Sequence, residues 1–212
     1  GITRAKQDHY CQGNFRQALP IIIHGDAAVS GQGIVYETVQ MCGLRGFTNA
    51  GTVHIVINNQ VGFTANFADS RSSLYCTDIA KMNDSPVLHV NADDAEAVVR
   101  TFLLAIDYRQ AFGKDVYINL FGYRKYGHNE GDEPRFTQPL LYKIISKHDN
   151  PRNIYAQKLI EEGLIQQSYV AEIENAYKAT LDADLEASRR EPLTILKPFM
   201  QTEWQGFEIA SP

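Results

Sequence analysis

The sequence predicts an α/β fold in which helices flank a parallel sheet, followed by a mostly helical C-terminal segment. Two observations predict this fold. Four short runs rich in β-branched residues alternate with helical patterns, which is typical of βαβ units, and the strand patterns stop after residue 137. The predicted strands are residues 19–24, 52–58, 86–91 and 115–123.

The first predicted strand contains three consecutive isoleucines, Ile21–Ile23, which predict a buried strand. A glycine-rich turn follows it, and helix-like spacing then extends from Ile34 to Met41. Asp26 therefore lies where a parallel strand ends and a crossover helix begins. Open α/β sheets bind their ligands at such positions.

The clearest predicted helix is the stretch "DDAEAVVRTFLLAIDYRQAF". Asp93 is the predicted N-cap, Glu96 follows three residues later as in a capping box, and Gly113 ends the helix. Beyond it, "LYKIISKH", "PRNIYAQKLIEEG" and "SYVAEIENAYKATLDADLEASRR" predict amphipathic helices, the second between Pro151 and Gly163. The closing "PFMQTEWQGFEIASP" predicts an irregular tail.

These patterns divide the chain into three parts. Residues 1–18 form a lead-in, residues 19–139 an α/β domain, and residues 140–212 a helical segment and linker. The first residue is glycine rather than methionine, which we interpret as the sign of a piece of a longer chain.

Composition excludes several classes of protein. A chain of 212 residues with 44% hydrophobic and 21% charged residues can build one sizeable core. A net charge of -5, with no basic stripe, argues against nucleic-acid binding. The three cysteines, an odd number at unrelated spacings, argue against a disulfide framework or zinc site and favour a reducing compartment. No apolar run reaches the ~18 residues of a membrane span.

Polar residues follow each of the four predicted strands. They are His24, Asp26, Asn58, Asn59, Asn91, Asp93, Arg124 and His128. Because the strands are predicted to be parallel, these residues share one edge of the sheet. Capping or turn formation explains any one of them alone, but the pairing of Asp26 with "INNQVGF" is harder to explain in that way.

The pairing suits magnesium, which prefers oxygen ligands and usually keeps substrate phosphates and waters beside one or two protein oxygens. The Asp26 carboxylate, the Asn59 amide oxygen and the Val61 carbonyl oxygen supply such ligands, with Gly62 permitting the turn. The small residues of "DAAVSGQG" let a phosphate approach the following helix N-terminus. The stretch therefore predicts half of a magnesium-diphosphate clamp.

These motifs resemble a known family. "GDAAVSGQG", with Asn59 of "NNQVGFT" following Asp26 by thirty-three residues, resembles the thiamine diphosphate motif of 2-oxo acid dehydrogenases and transketolases. "HGDAAVSGQGIVYET", "GTVHIVINNQVGFT", "RSSLYCTDIAK", "HVNADDAEAVV" and "GYRKYGHNEGDEPRFTQPLLYK" resemble the decarboxylating components of 2-oxoglutarate dehydrogenases. The resemblance covers nearly all of residues 20–163 and implies the diphosphate-binding domain of a thiamine diphosphate-binding fold.

The resemblance implies roles for five residues. Asp26, Asn59 and the Val61 carbonyl would hold magnesium, Ala27 would line the cofactor cleft, and His128 would lie beside the diphosphate. For His128 an ion pair with a nearby acidic residue of "HNEGDE" is the alternative. His24 would either orient Asp26 or reach substrate, whereas His54 and His89 are expected to be core or sheet residues.

The resemblance also implies an oxidoreductase of the tricarboxylic acid cycle that decarboxylates 2-oxoglutarate and passes a succinyl group to a lipoyl-bearing succinyltransferase. The full-length protein would be a homodimer in the cytoplasm, or alternatively in the mitochondrial matrix. No catalytic residue is expected in this chain, since the activating glutamate belongs to a pyrimidine-binding domain that no segment here resembles. The chain alone is therefore expected to be inactive. The alternatives are a 2-oxoadipate dehydrogenase and a non-catalytic cofactor-binding or assembly module.

Overall fold

The first part of the chain forms a four-stranded parallel sheet, as the sequence predicts, and its strand order is β1-β2-β6-β5, which was not predicted. The computed structural model describes residues 1–190 and 205–208. The strands are β1 (Ile21–Gly25), β2 (Val53–Asn58), β3 (Val61–Gly62), β4 (Ala65–Asn66), β5 (Val87–Asn91) and β6 (Val116–Phe121). The short strands β3 and β4 form a separate antiparallel hairpin, which the sequence analysis did not predict.

Helices flank the sheet and continue beyond it, which confirms the predicted fold class. They are α1 (Ile2–His9), α2 (Asp26–Gly31), α3 (Gly33–Met41), α4 (Phe67–Ser70), α5 (Ala95–Phe112), α6 (Pro139–Ile145), α7 (Pro151–Glu161) and α8 (Gln167–Arg190). Two 3₁₀ helices, Cys76–Asn83 and Pro134–Phe136, lie between them. The helix α1 was not predicted, and most of the predicted tail lies outside the described residues. No helix of the described ranges has both the length and the apolar character of a membrane span.

The chain divides into two compact units, Gly1–Lys158 and Leu159–Pro212. The first contains the sheet, and the long helix α8 belongs to the second. The three-part division made from the sequence stays a prediction.

The sheet has an apolar cluster on each face, as expected when both faces of a parallel sheet are covered. Val56 and Tyr117 belong to the cluster that includes residues of α2, α3 and the 3₁₀ helix Cys76–Asn83. Ile55 and Ile118 belong to the opposite cluster, which contains Ala105 of α5. Neighbouring residues of one strand thus contribute to opposite clusters, because side chains alternate along a strand.

The prediction of a buried first strand is wrong. Ile21, Ile22 and Ile23 are 53%, 41% and 68% exposed. The strand β1 lies at the edge of the sheet and pairs only with β2. An apolar run indicates that a strand suits a buried position, but its burial depends on which elements pack against it.

The predicted N-cap of α5 is also wrong by one residue. The Asp94 carboxylate, not that of Asp93, accepts a hydrogen bond from the Ala97 N–H at 2.9 Å. Asp93 instead pairs with His148, whose Nε2 lies 2.8 Å from its carboxylate. The predicted end at Gly113 is confirmed, since this glycine adopts a left-handed conformation with φ 63°.

Two buried side chains attach the N-terminal segment to the rest of the first unit. Gln7 Nε2 donates hydrogen bonds to the carbonyl oxygens of Phe15, Ala18 and Asn49 at 3.0, 2.9 and 2.9 Å. Arg109 Nη2 donates to the same three oxygens at 3.0, 3.1 and 2.8 Å. Each of these nitrogens has two hydrogens, which are shared among the three oxygens, and a carbonyl oxygen with two lone pairs can accept from both side chains. Arg109 is 1% exposed, so its charge is stabilised mainly by these dipoles.

We expect Arg109→Met to lower the free energy of unfolding by roughly 3 kcal/mol, because it leaves buried carbonyl oxygens short of a charged donor. Arg100→Met is the matched control on the same helix, where the arginine is largely exposed and pairs with Glu96 at 3.6 Å. Urea unfolding followed by circular dichroism measures both variants. Equal effects of the two substitutions would contradict the anchoring role of Arg109.

Candidate functional site

The candidate site lies at the carboxyl edge of the sheet, where β1 and β2 end side by side. Gly25, the last residue of β1, is in register with Ile57 of β2, and Asn58 is in register with Phe121 of β6. The side chains that follow these strands therefore share one edge. The helix α2 begins at Asp26 and contacts both β2 and β3.

Asp26 is a buried carboxylate at this edge, with 3% of its surface exposed. Burial raises the pKa of the Asp26 carboxyl, although backbone N–H groups and the charges of Arg71 and Arg124 partly oppose this effect. Its oxygen lies 3.9 Å from Nη1 of Arg71, which is beyond hydrogen-bond distance. The carboxylate therefore lies in a place where a closer cation would stabilise its ionised form.

Asn59 begins a tight turn that contains the other two predicted oxygen ligands. Its Oδ1 accepts a hydrogen bond from the Val61 N–H at 3.1 Å and keeps a second lone pair. Gln60 and Phe63 adopt left-handed conformations with φ 67° and 55°. Gly62 does not, so the expectation that its freedom of φ permits the turn is not confirmed.

Gly62 is needed instead for a close approach to α2. A Cβ atom on Gly62 would lie 2.9 Å from the Cβ of Ala27, a distance that forces one of them to move. Ala27, predicted to line the cofactor cleft, thus packs against the turn that carries Val61. Asp26, Ala27, Asn59 and Val61 are brought to one region by these contacts.

The predicted glycine-rich turn after Asp26 contains a short helix, α2, and the predicted helix from Ile34 to Met41 is confirmed as α3. The helix α2 ends after six residues, and Gln32, with φ -101° and ψ 120°, separates it from α3. The aligned dipoles of such a short helix give a smaller field than a long crossover helix would.

His128 lies in the segment after β6 and contacts an acidic neighbour, as in the predicted alternative. Its Nδ1 lies 2.7 Å from the Asp132 carboxylate, and its ring centroid is 4.2 Å from that of Phe63. Arg124 Nη2 also donates to the Phe63 carbonyl at 2.9 Å. The segment with His128 therefore contacts the turn that follows Val61. His128 also lines an open cleft of about 890 Å³.

The contact made by His24 is with another histidine. Its Nε2 lies 2.9 Å from Nδ1 of His54, and the rings are stacked with centroids 5.2 Å apart. Burial and the neighbouring His54 lower the pKa of His24 to about 4, so its ring is neutral near pH 7. His54 is buried in the sheet, as expected, and its Nε2 is 3.9 Å from the buried Asp115 carboxylate.

Sequence reasoning missed two contacts of this region. Arg71 follows α4 and faces Asp26, and Gln60 Nε2 donates to the Gly122 carbonyl at 2.8 Å. Their partners lie forty-five and sixty-two residues away in the sequence, so no local spacing indicates either contact. The single basic residue of "FADSRSSLY" was the one available signal for Arg71.

A metal at this edge would need an oxygen-rich ligand set. In residues 1–190 and 205–208, no group of three or more His, Cys, Asp and Glu side chains is arranged around a metal position. The predicted set is of another kind, since it combines one carboxylate with an amide oxygen and a main-chain carbonyl. Such neutral oxygens are acceptable to magnesium and calcium.

Comparison with known proteins identifies the family. The family model described as "Dehydrogenase E1 component" matches residues 1–196. A "2-oxoglutarate dehydrogenase E1 component" of Haemophilus influenzae is 48% identical over 183 residues, which are 86% of this chain and 20% of that protein. Proteins with the same description from Rickettsia felis and Azotobacter vinelandii are 46% and 47% identical over 97% and 96% of this chain.

The chain spans about a fifth of the length of these relatives, since it covers 21% and 22% of the latter two. The family model nevertheless covers most of the chain, including the sheet and every residue of the candidate site. The protein therefore belongs to the dehydrogenase E1 component family.

Proposed function

We propose that this chain supplies the diphosphate- and magnesium-binding part of a thiamine diphosphate-dependent 2-oxoglutarate dehydrogenase E1 component. The observation that carries the proposal is the buried Asp26 carboxylate, which lies at the carboxyl edge of the sheet beside the turn formed by Asn59 and Val61. The relatives named above support the substrate. The whole protein would decarboxylate 2-oxoglutarate oxidatively and pass a succinyl group to a lipoyl-bearing succinyltransferase.

The residues present fit a magnesium ion. A buried carboxylate whose pKa is raised by desolvation is stabilised in its ionised form by a metal. Asp26 would supply the charged ligand, and Asn59 Oδ1 and the Val61 carbonyl would supply neutral oxygens. The hydrogen bond from the Val61 N–H holds the Asn59 amide in place, so the turn would need little rearrangement on binding.

The residues present also fit a diphosphate. The segment around Ala27, with Gly25, Gly31 and Gly33 close by, is rich in small side chains, so a phosphate group can approach the backbone. His128 and Arg124 would add positive or hydrogen-bonding groups from the segment after β6. When bound, thiamine diphosphate supplies the carbanion chemistry for decarboxylation, and the residues of this chain bind and orient it. No residue of this chain is proposed to be catalytic.

Several wider features belong to the same proposal. The whole protein would act as a homodimer in the tricarboxylic acid cycle. We place it in the cytoplasm because the relatives cited are bacterial, with the mitochondrial matrix as the alternative. The names of these relatives favour 2-oxoglutarate dehydrogenase over a 2-oxoadipate dehydrogenase or a non-catalytic cofactor-binding module.

We expect Asp26→Asn in the full-length protein to weaken magnesium-dependent binding of thiamine diphosphate by about a hundredfold or more, because the metal loses its charged ligand. Asn59→Ala should act in the same direction. Titration calorimetry with and without magnesium measures the effect. Asp93→Asn is the matched control, since this aspartate also follows a strand but pairs with His148. Undiminished binding by Asp26→Asn would exclude the proposed clamp.

A second prediction tests the contact between Ala27 and Gly62. Gly62→Ala should weaken binding of the cofactor, because its methyl group would push α2 away from the turn that carries Val61. The double variant Ala27→Gly with Gly62→Ala should recover most of the loss, since the conflicting methyl is removed. Gly46→Ala is the control, because a Cβ there also meets open space and the residue lies outside the proposed site. Titration calorimetry with thiamine diphosphate and magnesium measures the binding of each variant. If the double variant binds as weakly as Gly62→Ala, the contact between Ala27 and Gly62 does not control binding.

A third prediction concerns the substrate. With an artificial electron acceptor, the full-length protein should show at least about a tenfold higher kcat/KM for 2-oxoglutarate than for 2-oxoadipate, since one methylene group is worth roughly 1–3 kcal/mol in such a pocket. Asp26→Asn should lose activity toward both. A preference for 2-oxoadipate would overturn the assignment of the substrate while leaving the cofactor site intact.

A further inference from the structure

A second cavity, of about 390 Å³, lies near the carboxyl ends of β5 and β6 and is distinct from the cleft beside His128. Its lining includes Phe67, Arg71, Leu74, Tyr75, His89 and Phe121. The volume is within the range of sites for small molecules. Apolar side chains form much of the wall, and a few polar groups face the same space.

Arg71 is the charged group of this cavity. Its side chain is 8% exposed, and within the described part of the chain its Nε and Nη1 atoms have no hydrogen-bond partner. The nearest carboxylate is that of Asp26, which is 3.9 Å from Nη1 and therefore does not accept a hydrogen bond. A buried guanidinium with unused donors raises the free energy of the folded state. An anion bound in the cavity would accept hydrogen bonds from these donors and remove that penalty.

His89 also lines the cavity and has a fixed hydrogen-bond partner. Its Nδ1 lies 2.9 Å from the amide nitrogen of Asn119, while Asn119 Oδ1 faces the Cys76 thiol at 3.9 Å. Because the amide nitrogen donates, Nδ1 of His89 accepts, and the neutral ring carries its hydrogen on Nε2. The ring packs against Tyr75, with centroids 4.5 Å apart.

We propose that this cavity binds a small aliphatic carboxylate. The carboxylate group binds the guanidinium of Arg71, since a planar carboxylate matches its fork of N–H donors. The aliphatic chain packs against Phe67, Leu74 and Tyr75. A singly charged group is favoured over a phosphate dianion because the negative charge of Asp26 lies 3.9 Å from Arg71. The cavity borders the proposed diphosphate clamp, since Asn58 and Gln60 also line it, but binding of the carboxylate does not require the clamp.

Hexanoate is a suitable probe, and 1-hexanol is its uncharged counterpart with the same chain. We expect saturation-transfer NMR on the full-length protein, in buffer without thiamine diphosphate or magnesium, to give at least about tenfold weaker binding of the alcohol than of the carboxylate, because the alcohol lacks the charge-assisted hydrogen bonds. This comparison uses the unmodified protein, so it does not depend on the folding of a variant. Equal binding of the two probes, or none of either, would overturn the proposal.

Variants then locate the binding site. Arg71→Met should weaken hexanoate binding at least about tenfold, since it keeps the volume but removes the donors. Arg100→Met removes an exposed arginine on α5 and should leave binding unchanged. An equal loss in both variants would show non-specific attraction to positive charge and would overturn the assignment to Arg71.

Asp26→Asn separates this proposal from the proposed function. Neutralising Asp26 removes a negative charge near Arg71, so hexanoate binding should become tighter, whereas magnesium-dependent cofactor binding is expected to weaken. Failure of the magnesium clamp would therefore leave the hexanoate result unaffected. Weaker hexanoate binding by Asp26→Asn, with the thermal stability of the protein unchanged, would contradict the proposed role of Arg71.

Discussion

The in-register parallel pairing of β1 with β2 is the constraint on which the candidate site depends. It aligns Gly25 with Ile57, so that Asp26 and Asn59 follow their strands at the same edge. A shift of one residue in either strand would move its side chains to the other face of the sheet. The paired apolar clusters on the two faces oppose such a shift, and the core thereby positions the polar edge.

The same edge combines two buried charges that do not satisfy each other. Asp26 is buried and its carboxyl pKa is raised by that burial, while Arg71 holds donors without partners among the described residues. A separation of 3.9 Å leaves attraction between them but no hydrogen bond. Buried donors without a partner, such as Nε and Nη1 of Arg71, are rare in folded proteins, and a bound ligand is one explanation for them. A cation at Asp26 and an anion at Arg71 would satisfy the two groups separately.

Local sequence patterns predicted the positions of the four sheet strands, but not the exposure of β1 or the N-cap of α5. Runs of β-branched residues identify β1, β2, β5 and β6 because strand preference is a local property. The exposure of β1 depends on which elements pack beside it, which no local pattern encodes. The choice of Asp94 over Asp93 as the cap of α5 depends on backbone angles that both residues could adopt.

The sequence allows prediction of those site residues that directly follow the ends of predicted strands. Asp26, Ala27, Asn59 and Val61 follow directly from the positions of β1 and β2 and lie in one region, and their roles toward a metal and a diphosphate stay a proposal. The contact of Arg71 with Asp26 could not be predicted in the same way, since Arg71 reaches Asp26 from a segment forty-five residues later in the chain. The anchor formed by Gln7 and Arg109 is equally non-local.

The turn that carries Val61 is strained, and distant residues hold it in place. Gln60 and Phe63 both have positive φ, a conformation that costs non-glycine residues roughly 1 kcal/mol or more each. Hydrogen bonds from Gln60 to the Gly122 carbonyl and from Arg124 to the Phe63 carbonyl stabilise it. Both bonds join the turn to the segment after β6. The position of the Val61 carbonyl therefore depends on a third strand of the sheet as well as on β1 and β2, which explains why the spacing between Asp26 and Asn59 alone does not specify the site.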